Sequence, residues 1–185
     1  MNMALLEKQL VVKRSTIPNS GKGLFTKKVI PKGTRIVEYK GKTSTWKDVN
    51  IDEGRNGYIY YINRKNVIDA MPFPQHLARY ANDAQGLSKV KGITNNCRYV
   101  ADMDTMRVYI EAVKDIPAGA EILVQYGKEY WDVIRHNMKI EEREKAQREK
   151  DKQKKALDRK KLNDTASRKK LISRTISRRK TAVAA

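Results

Sequence analysis

Short apolar runs alternate with turn-forming residues as far as Tyr126, and the pattern changes after it. Gln9-Leu10-Val11-Val12 is a β-prone run, broken by Pro18-Asn19-Ser20-Gly21-Lys22-Gly23. Leu24-Phe25-Thr26 resumes an extended segment, Ile30-Pro31-Lys32-Gly33 turns the chain, and Arg35 to Tyr39 is again β-like. Tyr58-Ile59-Tyr60-Tyr61-Ile62 and Asn66-Val67-Ile68-Asp69 read as a strand pair joined by the polar turn Asn63-Arg64-Lys65. Arg107 to Ala112 and Glu121 to Val124 flank a turn carrying Pro117 and Gly119. Many short strands separated by Gly, Pro and Asn turns predict a mainly β domain of the α+β class with few helices.

From Glu129 the period becomes helical. Trp131, Ile134 and Met138 fall at i, i+3 and i+7, which predicts a helix with one apolar stripe. The stripe fails after Ile140: within residues 141–161 only Ala146, Ala156 and Leu157 are apolar. Pairs such as Glu144/Arg148 lie one helical turn apart and suit a solvated helix. Residues 163–185 are rich in Ser, Thr, Lys and Arg and are expected to be disordered when free. The reading is thus a domain over residues 8–131, a helix over 132–162 that is charged beyond 140, and a basic tail over 163–185.

Composition sharpens this picture. The 185 residues carry a formal net charge of +19, with a pI near 10.0. Residues 138–185 hold 18 Lys/Arg against 7 Asp/Glu, while residues 1–137 hold 22 against 14. Nucleic acid or an acidic protein is the partner such a tail suits. The single cysteine, Cys97, excludes an internal disulfide and a Cys-rich zinc cluster, and His76 and His136 are too isolated to suggest a metal site. No run approaches the roughly 18 apolar residues of a membrane span. No continuous apolar segment near the start suggests a secretion signal either. The expectation is a soluble, cytoplasmic protein.

Three segments carry candidate chemistry: Ser20-Gly21-Lys22-Gly23-Leu24-Phe25, Ala78-Arg79-Tyr80-Ala81-Asn82-Asp83, and Glu121-Ile122-Leu123-Val124-Gln125-Tyr126-Gly127. In that order they resemble the SET-domain protein-lysine methyltransferases. The match is to compact bacterial or viral members that lack Cys-rich flanking segments. The resemblance spans about residues 8–131. It implies a SET-type β-clip of short strands with a knot-like site and S-adenosylmethionine as methyl donor. The implied acceptor is a lysine side chain in a protein substrate.

The resemblance also implies roles. Two glycines around one residue let the backbone bend sharply and approach a ligand, so Lys22, Gly23 and Leu24 are expected against the methionine part of the cofactor. Arg79-Tyr80-Ala81-Asn82-Asp83-Ala84 resembles the family pattern Arg-Phe-x-Asn-His-Ser. Arg79 and Asn82 are expected at the cofactor, Asn82 at its charged amino-acid end. Asp83, in place of His, is a departure that bears on cofactor affinity. Asn95-Asn96-Cys97-Arg98-Tyr99 resembles the segment that crosses that loop, with Cys97 a small buried side chain and Tyr99 facing the substrate amine. Tyr126 and Tyr99 are the catalytic candidates, Tyr126 touching the cofactor too. Trp131 either stacks on adenine or anchors the helix. Tyr58, Tyr60, Tyr99 and Val124 are the candidate lysine channel, Val124 standing where members often carry an aromatic. Tyr39-Lys40-Gly41 reads as framework.

Transfer needs a neutral amine in line with the methyl group, and desolvation in an aromatic channel favours that form. The expected substrate is a protein presenting lysine, such as a basic DNA-associated protein, or this chain's own tail. The alternative is a catalytically idle SET-like domain that binds nucleic acid or lysine-rich peptides. Tyr126 with Asn82 favours the enzyme, and Asp83 favours the idle domain.

Overall fold

The computed structural model describes residues 5–49 and 56–183. Nine short strands form three antiparallel sheets of three strands each among these residues. The first sheet has the order β1-β2-β9, from β1 (Leu10–Arg14), β2 (Lys22–Thr26) and β9 (Glu121–Ile122). The second has the order β3-β8-β7, from β3 (Arg35–Glu38), β8 (Arg107–Ala112) and β7 (Cys97–Asp102). The third has the order β4-β6-β5, from β4 (Lys42–Ser44), β6 (Asn66–Asp69) and β5 (Ile59–Asn63). A mainly β domain followed by one C-terminal helix is the fold the strand pattern predicts.

Alternation explains the central strand. In β8, Val108, Ile110 and Ala112 are buried while Arg107, Tyr109 and Glu111 face outward. Burying Val108 and Ile110 contributes about 1.5–3 kcal/mol each. They join Leu24, Ile30, Ile36, Ile116, Ile122 and Val124 in one core. The two Pro/Gly turns are tied to each other, with Ile30 and Ile116 exchanging both backbone hydrogen bonds at 2.9 Å. The β7–β8 hairpin turns where Met106 takes a positive φ of 53° and Asp102 accepts from the Asp104 and Thr105 amides.

Strand β4 is not predicted by the pattern, because Lys42-Thr43-Ser44 carries no apolar signal. It exists through its ladder with β6, pairing Lys42 with Asp69 and Ser44 with Val67.

The helix α1 runs Lys128–Val183, starting just after Gly127 at φ 98°. Trp131 and Ile134 are half-buried as the stripe predicts, but Met138 is exposed. Past residue 163, where the sequence suggests a separate tail, α1 continues to Val183, and Ala184 and Ala185 lie outside the described residues. No Gly or Pro follows Gly127, so nothing in the sequence terminates the helix once it is nucleated. Glu144 and Arg148 form their expected pair at 3.5 Å. The chain divides into two compact units, Met1–Asn137 and Met138–Ala185. No described helix is long and apolar enough to cross a membrane.

Candidate active site

The site is built where the chain after β9 passes between two other segments. Asn82 bridges Leu123 and Cys97 bridges Val124, both in parallel. The Val124 amide donates to the Asn82 carbonyl at 2.8 Å, and the Asn96 and Cys97 amides both donate to the Leu123 carbonyl at 2.9 Å. The buried Asn96 side chain braces the crossing, donating to the Glu121 carbonyl at 2.7 Å and accepting from the Leu123 amide at 2.8 Å. Leu123 and Val124 are thereby held between segments far away in sequence, and Tyr126 is delivered beside Ala81 and Asp83.

Glu121 is the second organising residue, and sequence reasoning gave its side chain no role. It is 5% exposed. Its carboxylate accepts from the Ser15 hydroxyl and the Thr16 amide, each at 2.7 Å, from the Thr16 hydroxyl, and from the Asn82 carboxamide at 3.2 Å. The same Asn82 nitrogen donates to the Lys22 carbonyl at 3.0 Å. A Cβ on Gly23 would run into the Glu121 carboxylate. The second glycine therefore makes room for Glu121, a different reason from the ligand approach that the sequence suggests. Gly21, at φ +66°, supplies the left-handed turn.

Val124 needs correction as a channel residue. Its side chain is wholly buried in the core, so it offers no surface to a ligand. The Leu24 side chain is buried in the same core, on the middle strand of its sheet, which leaves only its backbone for a ligand. The Cys97 thiol is pushed up to about 12 by burial, which suits a packing role.

An aromatic cluster surrounds Tyr126. Its ring stacks with Trp131 at 5.8 Å and with Tyr99 at 6.4 Å, and meets Tyr130 edge-on at 4.8 Å. Tyr99 in turn packs on Tyr60 at 4.9 Å and Tyr39 at 5.6 Å. Tyr39, read from sequence as framework, is thus part of the site, and its hydroxyl donates to the Tyr58 carbonyl at 2.8 Å. The Tyr126 hydroxyl donates to the Ala81 carbonyl at 2.7 Å. Burial pushes the phenols of Tyr126 and Tyr99 well above the ordinary tyrosine value, and neighbouring tyrosines add to the effect.

Tyr58, a candidate for the channel, meets a cation. Its ring carries the Arg79 guanidinium at 4.1 Å. Arg79 also lies 5.6 Å from the Tyr80 ring, and Lys22 reaches the same ring at 6.0 Å. Arg79 donates to the Met71 carbonyl at 2.8 Å, while its Nε is buried with no partner.

Asp83 is 5% exposed. Its Oδ2 accepts from the Tyr126 amide at 2.9 Å and the Trp131 indole at 2.8 Å, so Trp131 anchors the start of α1 to the site loop.

No curated protein matches the chain. The methyltransferase domain of human PR domain-containing protein 2 is 25% identical and covers 65% of this chain and 78% of its own, with a TM-score of 0.47. A humanized mutant of the Chaetomium thermophilum Polycomb Repressive Complex 2, solved with a bound inhibitor, is 24% identical. It covers 71% of this chain and 16% of its own at a TM-score of 0.56, a likeness of fold. The SET domain family matches residues 21–127, more than half the chain. With that match, over the stretch from the glycine turn to the residue after Tyr126, the protein belongs to the SET domain family, a family of methyltransferases.

Proposed function

We propose that this chain methylates lysine side chains in a protein substrate, using S-adenosylmethionine. The observation that carries the reading is the hydrogen bond from the Tyr126 hydroxyl to the Ala81 carbonyl. A carbonyl only accepts, so the phenol proton is committed to it. The Tyr126 oxygen can then offer only lone pairs to an incoming group, which suits the N–H of an amine.

The residues around it suit the cofactor. The guanidinium of Arg79, with Lys22 nearby on the same Tyr80 ring, supplies cationic charge for a carboxylate. Asn82 and Trp131 would hold the rest. When bound, S-adenosylmethionine supplies an electrophilic methyl group on a cationic sulfur.

The tyrosines do the remaining work by shape and polarity. Their raised pKa values keep Tyr126 and Tyr99 as neutral phenols, so neither serves as a base. The rings of Tyr39, Tyr60, Tyr99 and Tyr126 exclude water from an entering lysine, which lowers its pKa and favours the neutral amine. The amine proton leaves to water before transfer, and Tyr126 orients the nitrogen.

Calorimetry and mass spectrometry test this reading. The purified chain is expected to bind S-adenosylmethionine and to add mass in steps of one methyl unit to a lysine-rich protein or to its own tail. Asn82→Ala removes a side chain held between Lys22 and Glu121 and is expected to weaken cofactor binding by about 1.5–3 kcal/mol. Absence of cofactor binding at millimolar concentration, with no mass gain on any of several basic proteins, would leave the idle binding domain as the better description.

A further inference from the structure

Asp83 stands where the family pattern has His, and four hydrogen bonds end on its carboxylate. Oδ2 accepts from the Tyr126 amide at 2.9 Å and the Trp131 indole Nε1 at 2.8 Å. Oδ1 accepts from the Gln85 amide and the Asn95 carboxamide, each at 2.8 Å. All four partners are neutral N–H donors. An ionised carboxylate is acceptor-only, with two oxygens that can take all four bonds. A histidine ring offers one acceptor nitrogen at most, and an asparagine would aim its NH₂ group at two N–H donors. The donor set around this position therefore selects aspartate.

The donors also sit where they matter. One is the backbone of Tyr126 itself. Another is Trp131, whose ring stacks on Tyr126 at an interplanar angle of 12°. Gly86 lies close against the indole: a Cβ there would come within 2.5 Å of its Cζ2 and Cη2. Asn95 closes the cage from the crossing segment and accepts from the Ala84 amide at 2.8 Å, so its own amide orientation is set.

We infer that Asp83 is the positioning residue for Tyr126 and Trp131. Its carboxylate braces the backbone that carries the Tyr126 hydroxyl and fixes the plane of the indole against that ring. Aspartate, Trp131 and Asn95 form a matched set, and the family's histidine is excluded from it. Restoring the family residue is therefore harmful in this chain. The kinetic consequence rests on the methyl transfer proposed above, whereas the clamp itself does not.

The test uses full-length chain, parent and variants, with ¹⁵N-labelled tryptophan. The indole resonance of Trp131 is told from that of Trp46 with Trp46→Phe. In the parent, the Trp131 indole proton is expected to exchange with solvent at least tenfold more slowly than that of Trp46, which is 43% exposed. Asp83→Asn and Asp83→His are each expected to lose that protection. Each is also expected to lower kcat at least tenfold while the KM for a lysine substrate stays within twofold. Equal exchange of the two indoles in the parent overturns the clamp without any variant having to fold. An Asp83→His variant with parental kcat and a protected indole overturns it as well. Loss of kcat with the indole still protected points away from the clamp. Loss of indole protection in the variants of a chain that transfers no methyl group upholds the clamp and rejects the enzymatic reading.

Discussion

The phenol of Tyr126 donates to the backbone carbonyl of Ala81 at 2.7 Å, joining residues 45 apart in sequence. Tyr126→Phe keeps the ring and its stacking on Trp131 while removing the oxygen. Turnover is expected to fall by a factor on the order of 10², equivalent to about 2.7 kcal/mol, because the group that orients the amine is gone. The Ala81 carbonyl loses its partner, so stability is expected to fall by about 1 kcal/mol. Single-turnover mass spectrometry reads the first effect and thermal melting the second. A Phe variant as fast as the parent removes Tyr126 from the mechanism.

Gly23 and Glu121 are expected to be coupled. Gly23→Ala pushes a methyl group into the Glu121 carboxylate and should cost about 1–3 kcal/mol of stability. Glu121→Ala frees that space but abandons the donors of Ser15, Thr16 and Asn82. The double variant should therefore be less destabilised than the two single costs together, by about 0.5–3 kcal/mol. Denaturant midpoints of the four proteins measure this, and strictly additive costs would show that no clash exists.

Alkaline titration should find five tyrosines that ionise late. Tyr39, Tyr60, Tyr99, Tyr126 and Tyr130 all have raised pKa values, with burial the largest cause in each. The folded chain holds these protons more tightly than the unfolded chain. Their contribution to stability is fully present below about pH 10, the ordinary tyrosine value, and is lost as pH rises toward the folded-state values. Ultraviolet absorbance should show these five phenols ionising late, in step with alkaline unfolding. Simultaneous ionisation of all nine tyrosines in folded protein contradicts a buried cluster.

Truncation after Met138 removes residues that carry most of the excess charge, 18 Lys/Arg against 7 Asp/Glu over residues 138–185. The remaining body contains the core and all nine described strands, so its melting temperature should be close to that of the full chain. Binding to duplex DNA, where the full chain shows it, should drop on truncation and become less steep in salt, since fewer phosphates are neutralised. Gel-shift titrations at rising salt measure the slope. A truncated chain without β structure by circular dichroism would show that the body depends on the helix beyond Met138.

The local pattern of residues decided the strands and the start of the helix. Val108, Ile110 and Ala112 alternate as β8 requires, Ile30-Pro31-Lys32-Gly33 turns where the chain turns, and Trp131 with Ile134 marks the buried side of α1. The order of the glycine turn, the Asn82 segment and the Tyr126 segment already pointed to the family, because each motif is contiguous. Tertiary structure alone decided the rest. Polar β4 is a strand only because β6 lies beside it. Tyr39 and Tyr130 join the site, and Val124 leaves it, according to which neighbours the fold brings up. The side chains of Glu121 and Asp83 meet donors 12 to 106 residues away, apart from one local bond to Gln85. Periodicity reports which face of an element is buried, but a hydrogen bond depends on what is packed against that face. The folded chain supplies that partner from a distant part of the sequence.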